Sequence, residues 1–446
     1  MKTSANPVKL AKLTHAFSRF LPSRAGRRIF ASLLLVFASV AHAQNPTSPA
    51  LRDGANQLVA LLRDAKVDEA GFTPAFLAQV PAAQVEAVAK QLRDANGTVI
   101  GVASITPESA LQGVVAIDYA NATVNVRIAL EAPEPHRFIG LLVTGVARRG
   151  DSFEAVIGEL KRLPGSTALL VAKLGEADPA PFAAHNADAA LATGSVFKLF
   201  VLAELARAVD AGERKWGDVV PLGPPSLPSG VTQGWPKGLP MTLAGLATQM
   251  ISISDNTATD TLISKLGRPK VDAIREGVGK TPGSLPVLST LDAFALKMPA
   301  NTALRKRWVA GGLSDRRQVL NELEPTAAAI DATVLVSGPQ HIDTVEWPAT
   351  MAELARVLDQ LRRAANPTPL DILAVSPMLS PGALARFDRA GYKGGSENGV
   401  IAMTWLLHAK NGDWYAVAGA WNDPAKSVDD AAFAALMQRA VALVGK

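Results

Sequence analysis

The sequence predicts an α+β protein in which a small helix-and-sheet region precedes a larger one. Residues 51–150 show helical apolar spacing first and strand-like alternation afterwards. Residues 151–446 carry strand-forming segments at both ends of a long helix-rich centre, so one sheet must be assembled from distant segments. Apolar residues make up 48% of the chain, which is enough to bury a large core.

Residues 1–43 have the composition of a secretory signal peptide. They contain seven Lys or Arg side chains and no acidic residue, then an apolar run from Ile29 to Val40 and the small-x-small sequence Ala41-His42-Ala43. The run is shorter than the roughly 20 apolar residues that a membrane-spanning helix needs. We therefore expect export to the periplasm or the medium, cleavage after Ala43, and no stable membrane span after cleavage. A retained membrane anchor is the alternative.

Charge and cysteine content exclude several classes of protein. The formal net charge is +5, and removing the seven positive charges of the leader leaves about −2 for the mature chain. No basic stripe indicates a nucleic-acid partner. The chain has no cysteine, so disulfides and thiolate metal sites are excluded. The histidines lack the spacing of metal ligands, and neither a metal nor another cofactor is expected.

Residues 44–50 are predicted to be a linker and residues 51–150 a small α+β domain. Leu58, Leu61 and Leu62 have helical spacing, and a second helix is predicted over 82–95, ended by Asn96-Gly97. Alternating apolar residues then predict three strands, over 111–119, 124–130 and 138–147. Helices followed by an antiparallel meander are typical of an α+β domain.

Residues 151–446 are predicted to form the larger domain, which opens with a helix over 153–163 and a strand over 166–174. Asn411-Gly412 between apolar runs is a strong hairpin signal. It predicts strands over 400–408 and 414–421. A last helix is expected over 427–443, with Ser427 as its N-cap.

The sharpest chemical feature is Ser195-x-x-Lys198 at the start of an apolar helix. Residues three apart share a helix face, so the hydroxyl and the amine are expected to lie together. The apolar neighbours bury the amine, which lowers its pKa and lets it act as a base. Ser195 also faces the unpaired backbone N–H groups of the helix start, which can stabilise an oxyanion. A capping serine and an outward-pointing lysine are the structural alternative.

Two further motifs carry candidate site residues. Ser254-Asp255-Asn256 lies between two predicted helices, where Ser254 can relay a proton and the Asn256 amide can hold a substrate. An ordinary capping turn is the alternative. Lys393-Gly394-Gly395-Ser396 lies just ahead of the strand that begins at Val400. Its small residues let a substrate lie along a strand edge while the ammonium attracts a carboxylate; a solvated lysine in a glycine turn is the alternative.

In this order and spacing, the three motifs resemble the Ser-x-x-Lys, Ser-Asp-Asn and Lys-Thr-Gly set of class A β-lactamases and penicillin-binding proteins. The resemblance covers roughly residues 151–446 and implies a five-stranded antiparallel sheet flanked by helices. The catalytic roles that it implies are an acylated nucleophile, a general base, a proton relay and a substrate-holding lysine, at Ser195, Lys198, Ser254 and Lys393. It implies substrate binding by Asn256, Gly395 and Ser396, with the N–H groups of Ser195 and Ser396 as the oxyanion hole.

Two departures from that family pattern stand out. Gly394 replaces the family's threonine, so its hydroxyl for a substrate carboxylate is missing. The Glu-x-x-Leu-Asn loop, which in class A enzymes supplies the base for deacylation, is also missing between Asn256 and Lys393; Glu324 and Asp331 are the candidate substitutes.

These departures, with Ser289-Thr290-Leu291 and the segment from Ile342 to Trp347, resemble one particular branch. Its members include the serine hydrolase homologue encoded in clavulanic acid clusters and mycobacterial cell-envelope relatives. The branch implies an NTF2-like, steroid-isomerase-like domain over residues 51–150.

Acyl transfer is the predicted function, in which Ser195 attacks a small-molecule β-lactam, ester or cell-wall-derived amide and water releases the acyl group. Two alternatives stay open: a cell-envelope serine esterase without useful β-lactamase activity, and a non-catalytic penicillin-binding or cell-wall-sensing module. An α/β-hydrolase is disfavoured because the sequence contains no Gly-x-Ser-x-Gly.

Overall fold

The computed structural model of the chain describes residues 47–175, 178–323 and 325–445. The predicted signal peptide lies outside these residues, and so does Glu324. Two larger antiparallel sheets, one of four strands and one of five, organise the described chain.

The four-stranded sheet follows three helices in the N-terminal part. In chain order the elements are α1 Pro49–Asp64, α2 Pro74–Gln79, α3 Ala82–Asn96, β1 Val99–Pro107, β2 Gln112–Tyr119, β3 Ala122–Leu130 and β4 Phe138–Arg148. The strands pair in sequence order, and the buried side chains of β3 alternate along the strand and pack on α1. The strands predicted over 111–119, 124–130 and 138–147 are therefore confirmed.

The first helix begins earlier than predicted. Its first residue, Pro49, lies inside the predicted linker 44–50, because Ser48 Oγ accepts the N–H of Leu51 at 3.1 Å and proline suits the first helical position. At the other end of the helical region, α3 stops at Asn96 as predicted, and Gly97 follows with a φ of +84°. The domain division at residue 150 and the steroid-isomerase-like assignment stay predictions.

The five-stranded sheet is built from both ends of the C-terminal part. In chain order, the helices and strands of this part of the chain are α4 Phe153–Leu160, β5 Ser166–Leu174, β6 Ala180–His185, β7 Leu191–Ala192, α5 Lys198–Asp210, β8 Val219–Pro221, β9 Pro240–Thr242, α6 Leu243–Ser252, α7 Asn256–Leu266, α8 Arg268–Val278, α9 Thr290–Lys297, α10 Thr302–Ala310, α11 Leu313–Glu322, α12 Ala332–Val336, β10 Pro348–Ala349, α13 Met351–Arg362, α14 Thr368–Ala374, α15 Pro381–Leu384, β11 Phe387–Glu397, β12 Val400–Ala409, β13 Trp414–Asn422 and α16 Asp430–Leu443.

The strand order β11-β12-β13-β5-β6 leaves β11 at one edge of this sheet. Both faces of the central strands are covered by helices. Ala402 and Leu406 of β12 pack with α5, α6 and α13, whereas Trp405 and Leu407 pack with α4 and α16. Burial of a large apolar side chain stabilises a fold by about 1.5–3 kcal/mol. The sheet is therefore a rigid base for anything carried by its edge strand.

Three predictions for the C-terminal part need correction. Helix α4 ends at Leu160, three residues before the predicted end. Helix α16 begins at Asp430, because Asp429 and not Ser427 accepts the N–H of Ala432 (2.9 Å). The Lys393-Gly394-Gly395-Ser396 motif precedes the strand at Val400 as predicted, but it lies within β11, a strand that the sequence did not predict.

None of the helices in the described part of the chain is both long and apolar enough to cross a bilayer.

Candidate active site

Ser195 lies in a short 3₁₀ turn, Gly194–Phe197, that leads directly into α5. The sequence predicted the first turn of an α-helix. In both geometries the side chains of Ser195 and Lys198 are expected on the same side of the turn, because residues i and i+3 of a 3₁₀ turn eclipse one another. Between Leu191 and Phe200, Ser195 is the one residue that is not buried. Ser195 is therefore partly exposed and lines a cavity, while the rest of its segment is held in the core.

Contacts with the segment around Trp347 hold the turn in place. Thr193 Oγ1 donates to the carbonyl oxygen of Trp347 at 2.7 Å, and the Phe197 ring stacks on the Trp347 indole with 4.3 Å between ring centroids. Glu346 Oε2 accepts the N–H of Gly194 at 3.3 Å. The position of Ser195 thus depends on a stretch of chain some 150 residues away.

Lys198 is the first residue of α5, and its side chain is fully buried. Its Nζ lies 2.7 Å from both the Ser254 carbonyl oxygen and Asn256 Oδ1, and 3.0 Å from Ser254 Oγ. Burial, and then the charge of Lys393, lower the pKa of Lys198 well below its usual value. No hydrogen bond joins this amine to Ser195 Oγ in the structure; such catalytic contacts often form only when substrate binds.

Ser254 connects the two buried lysines. Its Oγ lies 3.0 Å from Lys198 Nζ and 3.1 Å from Lys393 Nζ. The backbone of Ser254 has a φ of +58°, a left-handed conformation that non-glycine residues seldom adopt. Such a conformation persists where the surroundings enforce it, often in a functional site.

Asp255, for which the sequence predicted no specific role, holds the backbone of the neighbouring Ser254 in this conformation. Its buried carboxylate accepts the N–H groups of Val231 and Thr232, both at 2.8 Å, and the Thr232 hydroxyl at 2.6 Å. It also caps α7 through the N–H of Ala258 at 2.8 Å. The capping position was visible in the sequence, but the bonds to the distant 231–232 loop were not.

Lys393 extends from edge strand β11 and is 2% exposed. Its Nζ donates to Ser254 Oγ and, at 2.5 Å, to the carbonyl oxygen of Gly394. Burial lowers the pKa of Lys393 to about 7. Because Lys198 and Lys393 share the Ser254 hydroxyl, a proton on one disfavours a proton on the other.

Gly395 allows β11 to lie against the nucleophile's turn. A Cβ built on it would lie 2.3 Å from the Thr193 carbonyl oxygen and 2.4 Å from the Ser195 backbone nitrogen. From the other side, a Cβ on Gly194 would lie 3.1 Å from the Ser396 nitrogen. The two backbone segments that the sequence predicts to form an oxyanion hole are therefore in direct contact.

One cavity of about 530 Å³ contains most of the predicted site. Six of the seven predicted residues line it, namely Ser195, Ser254, Asn256, Lys393, Gly395 and Ser396. Lys198 is not among the residues that line the cavity, but its Nζ contacts Ser254 Oγ, which is part of the lining. Phe294 and Met378 are among the apolar residues that complete the walls.

A buried charge cluster lies beside the cavity. Lys297, which is fully enclosed, donates to Glu346 at 2.9 Å and also to Glu397. Burial and the neighbouring Glu346 raise the pKa of Glu397 well above its usual value. Burial by itself raises the pKa of Glu346, but Lys297 and the hydrogen bonds outweigh it and the net shift is downward. Through Glu346 and Gly194, this cluster supports the turn that carries Ser195.

No described residue occupies the role of a free deacylating carboxylate. Glu397 is the one acidic residue among those found to line the cavity, and Lys297 holds it. Asp331 caps α12 and binds Thr333 at the exposed surface. Glu324 lies outside the described residues. The described residues also contain no cluster of three His, Asp or Glu side chains that could hold a metal ion.

Residues 152–304 match the model of one protein family, described as Beta-lactamase enzyme family. The matched segment contains Ser195, Lys198 and the Ser254–Asn256 motif, and it ends before Lys393. A search of curated proteins gives no match.

A comparison with solved structures gives matches that include the following three. A β-lactamase from Sphaerobacter thermophilus DSM 20745 is 22% identical over 65% of this chain and 94% of its own, with a TM-score of 0.44. PBP-A is 17% identical over 65% of this chain and 93% of its own, with a TM-score of 0.41. An ancestral (GNCA) class A β-lactamase is 19% identical over 65% and 99%, with a TM-score of 0.44.

The family match supports a β-lactamase-like fold over residues 152–304. This part is accordingly β-lactamase-like, with its antiparallel sheet and covering helices. The narrower branch with a steroid-isomerase-like N-terminal domain stays a prediction.

The close approach at Gly395 generates a prediction. Gly395→Ala puts a methyl group inside contact distance of the Thr193 and Ser195 backbone, so the nucleophile's turn must move. We expect labelling of Ser195 by a fluorescent penicillin to slow at least about 100-fold. Gly382→Ala is the matched control, since a Cβ there meets nothing within 4 Å. Unchanged labelling in Gly395→Ala, with an unchanged melting temperature, would contradict the close approach.

Proposed function

We propose that this protein is an exported serine hydrolase of the β-lactamase-like type, which forms an acyl-enzyme at Ser195. The observation that carries the proposal is the hydrogen-bonded series Lys198–Ser254–Lys393 at the cavity that Ser195 lines. Export rests on the predicted signal peptide, and the substrate class rests on the resemblance of the three motifs.

The proposed acylation begins with proton transfer from Ser195 to Lys198. A buried, uncharged amine is a competent base at neutral pH, whereas an ordinary lysine is not. As the Ser195 Oγ–carbon bond forms, the carbonyl oxygen gains negative charge, which the N–H groups of Ser195 and Ser396 stabilise.

Collapse of this tetrahedral intermediate breaks the bond to the leaving oxygen or nitrogen. The proton on Lys198 passes through Ser254 Oγ, 3.0 Å away, to the leaving group. Water then attacks the ester carbon, the carbon–Oγ bond breaks, and Ser195 regains its proton. Asn256 and Lys393 hold the substrate beside the nucleophile.

A second candidate function is a penicillin-binding module whose acyl-enzyme persists. It is favoured by the contacts of Glu397, the one cavity-lining carboxyl group among the described residues, with Lys297 and Glu346. Glu397 is therefore not free to accept a proton from water, and its raised pKa disfavours the ionised form that activation of water requires.

Mass spectrometry after incubation with a fluorescent penicillin and with an aryl ester tests the proposal. We expect one adduct on Ser195, abolished by Ser195→Ala, and acylation at least about 100-fold slower in Lys198→Ala, the size of a general-base contribution. Ser264→Ala and Lys410→Ala are the matched surface controls.

The outcomes of that experiment separate the candidates. An adduct that forms and disappears with product release supports the hydrolase, and an adduct that lasts for hours supports the binding module. Ester turnover without a penicillin adduct supports an esterase of the cell envelope. Full turnover by Ser195→Ala would contradict the proposed mechanism.

The pKa of Lys393 generates a pH prediction. Its ammonium form predominates below about pH 7 and is lost above it, so its attraction for a carboxylate falls as the pH rises through that value. We expect kcat/KM for meta-carboxyphenyl phenylacetate to decline above about pH 7, and the decline to be absent for the uncharged phenyl phenylacetate. The profile of kcat/KM is suited to this test because it reports the free enzyme. Parallel profiles for the two esters would rule out this role for Lys393.

A further inference from the structure

Tyr392 fills the space that a side chain at residue 394 would need. The two residues are two apart on β11, and therefore point to the same face of the strand. A Cβ built on Gly394 would lie 2.1 Å from Tyr392 Oη and 2.8 Å from Cζ. Glycine at 394 and tyrosine at 392 are thus matched, because any larger side chain at 394 displaces the tyrosine hydroxyl.

The Tyr392 ring is held in place by packing against Trp405. The ring packs on Trp405 with 4.9 Å between centroids, and the Trp405 indole N–H is anchored to the Pro377 carbonyl oxygen at 2.9 Å. Tyr392 lines the same cavity as Ser195 and Lys393. A ring held in this way gives its hydroxyl a defined position at little entropic cost.

The hydroxyl is available as a donor. Among the described residues none forms a hydrogen bond with Tyr392 Oη, and burial raises the pKa of Tyr392, so the group stays protonated at neutral pH. Lys393 Nζ contacts the carbonyl oxygen of Gly394, while Tyr392 Oη covers its Cα. A neutral donor and a cationic donor therefore lie around one residue of the edge strand.

We infer that Tyr392 is a specificity-determining residue, whose hydroxyl, with the Lys393 ammonium, binds a carboxylate of the substrate that Ser195 attacks. This inference rests on the proposed function. The two oxygens of a carboxylate accept from two separate donors, and hydrogen bonds to a charged acceptor are the stronger ones. The hydroxyl that the sequence lacks at position 394 is supplied from position 392.

The matched pair of residues allows a swap. Gly394→Ala alone places a methyl group on the Tyr392 hydroxyl without supplying a hydroxyl of its own, and it should weaken discrimination between charged and neutral substrates. Tyr392→Ala removes both the obstacle and the donor. The double variant Tyr392→Ala with Gly394→Thr restores a hydroxyl beside Lys393 from the other residue. It should therefore discriminate better than either single variant.

The test uses the full exported chain and the same two phenylacetate esters, which differ by one carboxylate. The readout is the ratio of kcat/KM for the charged ester to that for the neutral ester. We expect Tyr392→Phe, which keeps the ring on Trp405, to lower this ratio roughly 10- to 100-fold, mostly through KM. Tyr415→Phe, a tyrosine whose hydroxyl lies near Asp413, is the control with an unchanged ratio.

Three results would overturn the inference: an unchanged ratio in Tyr392→Phe, a wild-type ratio in Gly394→Ala, or a double variant no better than Tyr392→Ala. The melting temperature of each variant separates these results from loss of folding. Turnover of both esters by Ser195→Ala would instead overturn the proposed function itself. The two failures are therefore distinguishable.

Discussion

The candidate active site depends on the burial of two lysine amines around one serine hydroxyl. Lys198 and Lys393 come from segments almost 200 residues apart, and both contact Ser254 Oγ. A buried ammonium without a carboxylate partner is unfavourable, so the interior favours the neutral form of at least one amine. Both pKa values are lowered, mainly by this burial. The same burial that costs stability favours the uncharged amine that the proposed mechanism requires as its base.

The surrounding structure keeps the three segments in position. Asp255 holds the strained backbone of Ser254 against the 231–232 loop, and Glu346 holds the turn that carries Ser195. Gly395 lets the edge strand approach that turn closely. Each of these contacts joins parts of the chain that are distant in sequence. The site is therefore a property of the assembled sheet and helices, and no single segment carries it.

The sequence predicted the parts of the site that depend on local pattern. The spacing of Ser195 and Lys198 predicts that they share one side of the turn whether it is 3₁₀ or α-helical, and the buried amine that the apolar neighbours predict is observed. The strands of the hairpin around Asn411-Gly412 were predicted closely because alternation and turn chemistry agree there. By contrast, β11 was missed altogether, since its glycines are poor strand formers and the pairing with β12 is what defines the strand.

Features that depend on tertiary contacts were beyond the sequence. The Lys297 cluster joins residues 297, 346 and 397, which no local pattern connects. The relation between Tyr392 and Gly394 is local in sequence, but it depends on Trp405 of the neighbouring strand, which supports the ring. The signal for it was the glycine in place of a hydroxyl residue.

Titration of the Lys198 amine by NMR shows whether this buried amine is uncharged at neutral pH. Lysine labelled with ¹³C at the ε position gives a resonance that moves as the amine loses its proton, and Lys198→Arg identifies the resonance by its absence. We expect a midpoint well below the ordinary lysine value of 10.5, because the amine is buried. A midpoint at or above 10.5 would mean that the amine is charged at neutral pH, and Lys198 would then not be the base.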